Sequence, residues 1–214
     1  MSTPTPYQRF YAWALDRYNA RYERFMAERK GALFADLSGT VLEIGPGTGA
    51  NLRHLPPAVQ WLGVEPNPAM HGYLHTEAAR QGRAVEVRQG TAEALPWPDE
   101  AVDAVLSTLV LCSVGDLAGT LAEIQRVLRP GGRFLFVEHV IAAPGTARRR
   151  AQRLLSPLWR RAADGCHPDR DTGAALHDAG FAEVRFETFE APLPVVRPHI
   201  AGFARKGGGL TGRR

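Results

Sequence analysis

The sequence predicts a doubly wound α/β fold: a seven-stranded, mostly parallel sheet with helices on both faces and an antiparallel last strand. Three observations predict it. Strand-length apolar runs alternate with helix-length patterns through most of the 214 residues, which implies parallel strands joined by crossover helices. Val41-Leu42-Glu43-Ile44 passes directly into Gly45-Pro46-Gly47-Thr48-Gly49. Glycines there permit a tight strand-to-helix turn and let a ligand lie against bare backbone. Near the end, two strands follow one another with no helix between them, and neighbours joined that way pair antiparallel.

In chain order, Tyr7, Phe10, Tyr11, Ala14, Leu15, Tyr18 and Tyr22 recur every three or four residues, predicting one amphipathic helix over about 7–30. A short helix over about 32–37 leads to Ser38-Gly39 and the first strand, 41–44. A helix over about 48–54 is stopped by Pro56-Pro57. The second strand is 60–64. Asn67 caps a helix that opens on Pro68 and closes at Gly82.

The third strand is 84–88, and the fourth, 102–107, is near-continuously apolar as a central parallel strand should be. Asp116 caps a helix over 117–128, and Pro130-Gly131-Gly132 turn into a fifth strand, 133–140. A basic helix is expected over 146–163. Asp171 caps a further helix that Gly180 ends, before strands over 182–190 and 200–205. Residues 1–38 therefore read as a helical cap, 39–206 as one domain, and 207–214 as a disordered tail.

Composition is that of an ordinary globular chain, 44% hydrophobic and 22% charged. No apolar run approaches the ~18–20 residues a membrane span needs, and the N-terminal residues do not form a signal pattern. Two cysteines, Cys112 and Cys166, make neither a disulfide framework nor a zinc-type spacing. No metal is expected, and a reducing, cytoplasmic setting is.

The formal charge of +4 is almost wholly arginine against acid, with Lys30 and Lys206 the only lysines. Arg148, Arg149, Arg150, Arg153, Arg160 and Arg161 form a basic segment that reads as a solvated helix face or as a contact for anionic partners. No base-reading or stacking motif accompanies it, so nucleic acid is not expected. Peripheral membrane contact stays an open reading, and the chain is expected to be a monomer or weak homodimer.

Two kinds of cofactor site pair a glycine turn with an acidic residue that holds ribose. Glu65, at the end of the second strand, can accept from both ribose hydroxyls. No basic phosphate clamp lies near the turn, which favours a cationic ligand over a pyrophosphate. Further blocks follow: Gly90-Thr91-Ala92-Glu93-Ala94-Leu95-Pro96, Val102-Asp103-Ala104-Val105 and Leu128-Arg129-Pro130-Gly131-Gly132. Together the set resembles the class I methyltransferases, Rossmann-like enzymes that use S-adenosylmethionine.

That resemblance implies roles for named residues. Glu43 stands near the methionine amino group. Gly45, Gly47 and Gly49, with Pro46, Thr48 and Asn51, let the methionine and ribose portion approach the backbone. Glu65, flanked by Pro66 and Asn67, holds the ribose. Thr91, Ala92 and Glu93 border the adenine, although Thr91 stands where many relatives carry Asp. Thr108, Leu109 and Val110 lie beneath the sulfonium and open into the acceptor pocket. Without the resemblance, Glu93 reads as a solvated loop carboxylate.

Four later segments are more specific: 107–114, Phe136-Val137-Glu138-His139-Val140, Asp164-Gly165-Cys166-His167 and 196–202. In this order they resemble the small-thiol S-methyltransferases, known in animals as membrane-associated alkyl thiol methyltransferases, over about 41–206. The animal proteins carry an apolar N-terminal anchor where this chain has a polar, aromatic helix. The resemblance implies hydrogen sulfide or a small alkyl thiol as methyl acceptor. The alternatives are C-, N- or O-methylation of a quinone-like, lipid or other small molecule, and a non-catalytic cofactor-binding module.

A thiol near pKa ~8.5 is partly ionised at neutral pH, so a pocket that favours the thiolate suffices. His139, at the carboxyl edge of the sheet where ligands bind, is the candidate catalytic residue. His167 and His199 follow it, and each also reads as a structural histidine tied to a carbonyl. Tyr7, Tyr11 and Cys112 complete the expected acceptor pocket. The tyrosines, Tyr18 included, also read as helix packing, and both cysteines as buried, inert thiols.

Overall fold

The computed structural model describes residues 3–208. Its seven strands are β1 (Thr40–Ile44), β2 (Gln60–Val64), β3 (Glu86–Arg88), β4 (Val102–Thr108), β5 (Leu128–His139), β6 (Glu183–Glu190) and β7 (Pro198–Arg205). They lie in the order β3-β2-β1-β4-β5-β7-β6. The five from β3 to β5 are parallel, and β7 runs antiparallel to both β5 and β6. The expected mixed sheet is therefore present.

The helices are α1 (Pro6–Tyr18), α2 (Ala20–Phe34), α3 (Pro68–Arg80), α4 (Leu117–Val127), α5 (Ala147–Ala162) and α6 (Thr172–Asp178). One apolar cluster packs Val64, Val105, Phe134 and Phe136 beneath Leu121 and Ile124 of α4 and Leu176 of α6. The opposite face packs Val41, Trp61, Leu106 and Leu135 against Phe34 of α2 and Leu74 of α3. Each such fully buried side chain contributes about 1.5–3 kcal/mol.

The expected caps are made: Asn67, Asp116 and Asp171 each accept a backbone N–H from the first turn that follows, and Thr146 caps α5 in the same way. Several elements differ from the sequence reading, among them β5, which begins at Leu128 and takes in the Pro130-Gly131-Gly132 expected as a turn before a strand over 133–140. The helix expected over 7–30 is two helices divided at Asn19, whose amide donates to Glu23. Of the short helix expected over 32–37, residues 32–34 are the end of α2 and the rest is not helical.

The helix expected over 48–54 is an open turn followed by a single 3-10 turn, Leu52–His54. Gly45, Gly47 and Gly49 all take positive φ, which an α-helix cannot use. β7 begins at Pro198, two residues earlier than expected, so His199 enters the ladder opposite His139. Of the tail, residues 209–214 lie outside the described residues.

Candidate functional site

The carboxyl ends of β1, β2 and β4 open into a cavity of about 390 Å³. It sits beside the point where strand order reverses, between β1 and β4, which is where ligands enter sheets of this kind. α1 and α2 cover it, contributing Gln8, Tyr11 and Leu15, then Asn19, Tyr22, Glu23 and Lys30. Five carboxylates line it (Glu23, Glu43, Glu65, Glu93 and Asp164) against one basic group, Lys30.

The turn after β1 forms the floor. A Cβ on Gly45 would stand 2.6 Å from Cγ2 of Val110, so bare backbone is required where this turn meets the loop after β4. Gly45, Pro46, Gly47, Thr48 and Asn51 line the cavity, as do Pro66, Asn67, Thr91, Ala92, Thr108, Leu109 and Val110. Gly49 does not. A Cβ there would meet Leu52 at 3.2 Å and α3 at 3.5 Å, so this glycine lets the turn pack on α3 instead of exposing backbone to a ligand.

Buried Glu43 accepts from Asn51 Nδ2 at 2.8 Å and Trp61 Nε1 at 2.9 Å. Burial raises its pKa, and these bonds and the Lys30 charge oppose that rise. Asn51 Nδ2 also donates to Thr108 Oγ1 at 3.0 Å, linking the β1 turn to the end of β4.

Glu65 takes the Gly47 N–H on Oε2 and the Asn67 N–H on Oε1, both at 2.9 Å. Burial pushes it up to about 7 despite those bonds. Glu93 accepts the Gly115 N–H at 2.8 Å. Burial acts to raise Glu93, but backbone N–H donors hold it below the usual carboxylate range. It is an anchored group and not merely a solvated one.

Sequence reasoning missed the Glu23–Lys30 pair. Lys30 Nζ lies 2.8 Å from both carboxylate oxygens of Glu23 and is wholly buried. Burial lowers its pKa, and the two nearby glutamates, Glu23 and Glu43, work against that. The available signal was a lysine in a chain that otherwise uses arginine, seven residues from a glutamate and so on the same helix face. Asp164 was also missed as a lining residue.

Leu109 and Asp164 have φ of 57° and 49°, a region that costs non-glycine residues free energy and recurs at ligand sites. Both line the cavity. Leu109 is held by its N–H to Val137 O at 2.9 Å. Next to it, the wholly buried Glu138 accepts from Val110 N at 3.1 Å and from the Ser107 hydroxyl. Burial raises Glu138 above the ordinary carboxylate range.

Of the expected acceptor residues, Tyr11 lines the cavity and the others do not. Burial raises Tyr11, keeping its phenol neutral. Tyr7 stacks on Tyr11 and accepts the Asp164 N–H at 3.1 Å, bolting α1 to that loop. Tyr18 is exposed.

His139 and His199 are buried behind the cavity, register partners across β5 and β7 with ring centroids 6.2 Å apart. His199 Nδ1 lies 2.9 Å from Arg197 O, the structural arrangement, and burial takes this ring down to about 4. Burial also lowers His167, helped by Arg170 and Arg160. Its backbone N–H donates to Cys112 O at 2.8 Å.

The two cysteines come together, although nothing in their spacing announces it. Cys112, His139 and Cys166 place a sulfur, a ring nitrogen and a sulfur within 4.8 Å of one another. His139 Nε2 lies 3.0 Å from Cys166 Sγ, and Trp159 Nε1 donates to the same sulfur at 3.3 Å. The Cys112 thiol, His139 and Trp159 draw Cys166 well below an ordinary thiol, and its contact with Cys166, with burial, pushes Cys112 up.

Among the described residues, no helix is long and apolar enough to cross a membrane. Residues 42–136 match the family model described as a methyltransferase domain. The chain is 37% identical over 213 residues to the thiol S-methyltransferase TMT1A of Homo sapiens, covering 93% of this chain and 87% of that protein. It is 36% identical to the thiol S-methyltransferase TMT1B of Rattus norvegicus, over 92% of this chain and 86% of the relative.

A demethylmenaquinone methyltransferase of Deinococcus radiodurans is 32% identical over only 49% of this chain and 45% of its own. Among solved structures, the YcgJ protein of Bacillus subtilis superposes with a TM-score of 0.69 at 19% identity, over 87% of this chain and 99% of its own.

Proposed function

This chain belongs to the thiol S-methyltransferase family of the class I methyltransferases, and from that premise we propose that it transfers a methyl group from S-adenosylmethionine to hydrogen sulfide or a small alkyl thiol. The observation that carries the donor half is the charge of the cavity. Five carboxylates against one ammonium suit a sulfonium cation and would repel the pyrophosphate of a dinucleotide. The acceptor half rests on the thiol S-methyltransferase relatives, which match over 92–93% of this chain where the quinone methyltransferase matches over 49%.

When bound, the donor supplies a methyl carbon made electrophilic by its sulfonium. In this reading Glu65 accepts the ribose hydroxyls on the two oxygens that now hold Gly47 and Asn67. Glu43 faces the methionine ammonium, and Lys30, the one basic lining group, faces its carboxylate. Thr91, Ala92 and Glu93 border the adenine. Thr108, Leu109 and Val110 fix the line of approach for the acceptor, and alignment of this kind lowers the barrier without covalent chemistry on the protein.

Residues 1–38 serve as a cap, since α1 and α2 roof the cavity and Asn67 Nδ2 donates to Gln8 O at 3.2 Å. The two free, buried thiols agree with a reducing, cytoplasmic setting. A peripheral membrane contact is supported by α5, which turns Leu154 and Leu158 to solvent among its arginines.

The test is mass-spectrometric detection of methylated products from the purified chain, S-adenosylmethionine and a panel of thiols, phenols, amines and quinols, with Glu65→Ala as control. Methylated thiols that vanish in the control are expected. Methylated quinols with no thiol product would install the second reading in place of this one.

A further inference from the structure

Three separate elements deliver soft or borderline ligand atoms to one buried point. Cys112 comes from the loop between β4 and α4, His139 ends β5, and Cys166 follows α5. Tetrahedral zinc, with bonds of ~2.3 Å to sulfur and ~2.0 Å to nitrogen, spaces its ligand atoms roughly 3.5–3.8 Å apart. The cluster spans no more than 4.8 Å, with its histidine-to-sulfur contact at 3.0 Å, so small side-chain shifts suffice.

The hydrogen bond from Trp159 Nε1 to Cys166 Sγ at 3.3 Å is the kind of outer contact that orients a metal-bound thiolate. The loops that carry the cysteines also border the cavity. Leu109, Val110 and Ser113 flank Cys112, and Asp164 stands two residues before Cys166.

We propose that Cys112, His139 and Cys166 bind a zinc ion just behind the cavity, next to the loop 109–113 that borders it, with the acceptor sulfur reaching in as its fourth ligand. The fourth-ligand half rests on the thiol reading of the preceding subsection. Three protein ligands with one position left open is the pattern of catalytic zinc, and two thiolates select such a metal over magnesium or calcium. As an acceptor thiol binds, its sulfur replaces a zinc-bound water and its proton passes to solvent, because a coordinating thiol is deprotonated outright. No general base is then required, in keeping with a cavity lining that contains no histidine.

The full chain, purified without chelators and equilibrated with zinc under reducing conditions, is assayed for metal by mass spectrometry. Roughly one zinc per chain is expected, falling about tenfold in Cys112→Ser and Cys166→Ser. Glu65→Ala keeps the zinc while losing methyl transfer, so failure of the donor site is distinguishable from failure of the metal site. In cobalt-substituted protein the thiolate-to-metal absorption should shift when methanethiol is added without methyl donor.

Should the serine variants fail to fold, stripping the wild-type chain with a chelator and retitrating it with zinc reads the same site. A wild-type chain that retains no zinc, or one that methylates thiols at an unchanged rate after zinc is stripped, overturns the proposal. Zinc bound with a shifted cobalt spectrum but no methylated thiol supports the metal site and sinks the functional reading alone.

Discussion

Lys30 and Glu23 form an ion pair two helical turns apart on α2, with Nζ 2.8 Å from both carboxylate oxygens and the lysine wholly out of water. Desolvating an ammonium is costly, and only a close partner makes it tolerable. Here the partner is supplied by the same helix that roofs the cavity, which keeps one basic group among five carboxyl groups. A pair whose main role was stability would serve as well as two apolar side chains. Its place in the lining points to a ligand carboxylate.

Lys30→Met should therefore destabilise the fold by about 1–3 kcal/mol, because it leaves the half-buried Glu23 carboxylate with Asn19 as its remaining donor. The double variant Glu23→Gln/Lys30→Met should recover most of that stability in urea denaturation. Donor binding by calorimetry should stay weak in both. Full donor affinity in the stable double variant would show that Lys30 meets no ligand group.

The pH dependence of Glu65 has two opposite signs. Folded, it titrates at about 7, whereas unfolded it titrates near ~4.3. Between those values the native state holds a proton that the unfolded state lacks. The ligand-free protein should lose stability, by up to ~4 kcal/mol, as pH rises across this window. Glu65→Gln should flatten that part of a melting-temperature profile. Donor affinity should instead rise through pH 7, since the ionised carboxylate is the better acceptor for ribose hydroxyls, and calorimetry in two buffers should register proton release on binding. Equal affinity at pH 5.5 and pH 8 would remove Glu65 from the donor site.

The sheet was legible because its signals are local. The apolar runs of β1, β2 and β4 and the cap residues Asn67, Asp116 and Asp171 each act within a few residues of themselves. The glycine turn was legible as a ligand floor but was misread as a helix start, since three positive φ angles leave room only for the 3-10 turn Leu52–His54. What the sequence hides is convergence. Cys112, His139 and Cys166 meet only because β5 and the loops after β4 and α5 end at one place. Lys30 closes the helix expected over 7–30, and nothing local reveals that its side chain is wholly buried at the cavity.

Gly45 and Gly49 look alike in sequence and should fail differently. Gly45→Ala puts a methyl group 2.6 Å from Val110 at φ 58°, which displaces the loop after β4 from the cavity floor. Donor affinity and turnover should both fall by about tenfold or more. Gly49→Ala crowds α3 outside the cavity and should cost about 1–2 kcal/mol of stability with a smaller effect on donor affinity. The reverse ordering in calorimetry would mean that the floor of the site is misassigned.

Glu138 reaches the reaction only through the backbone it holds. Its Oε1 accepts from Val110 N and Ser107, which fixes Leu109 in its left-handed conformation. Glu138→Gln keeps an oxygen acceptor and should retain most activity. Glu138→Leu leaves those donors unpaired and should lower kcat about 10- to 100-fold, with donor affinity nearly unchanged. Equal losses in the two variants would show that the charge matters and not the acceptor atom.

The orientation of α5 is inverted relative to an ordinary surface helix. Gln152 is fully buried, bonding Ala142 N and the carbonyls of Val140 and Val195, and Ser156 bonds Asp169. Leu154 and Leu158 instead stand 82% and 68% exposed, on a helix that carries Arg148, Arg149, Arg150, Arg153, Arg160 and Arg161. Polar groups thus anchor the helix inward while leucines and cations face out, the pattern of a helix that lies in an anionic lipid interface. The chain should co-sediment with vesicles containing phosphatidylserine, less so with phosphatidylcholine alone, and more weakly as salt rises. Leu154→Glu/Leu158→Glu should abolish sedimentation while leaving the melting temperature within about a degree or two, because neither leucine packs against the core. Co-sedimentation that survives those substitutions would move the contact away from α5.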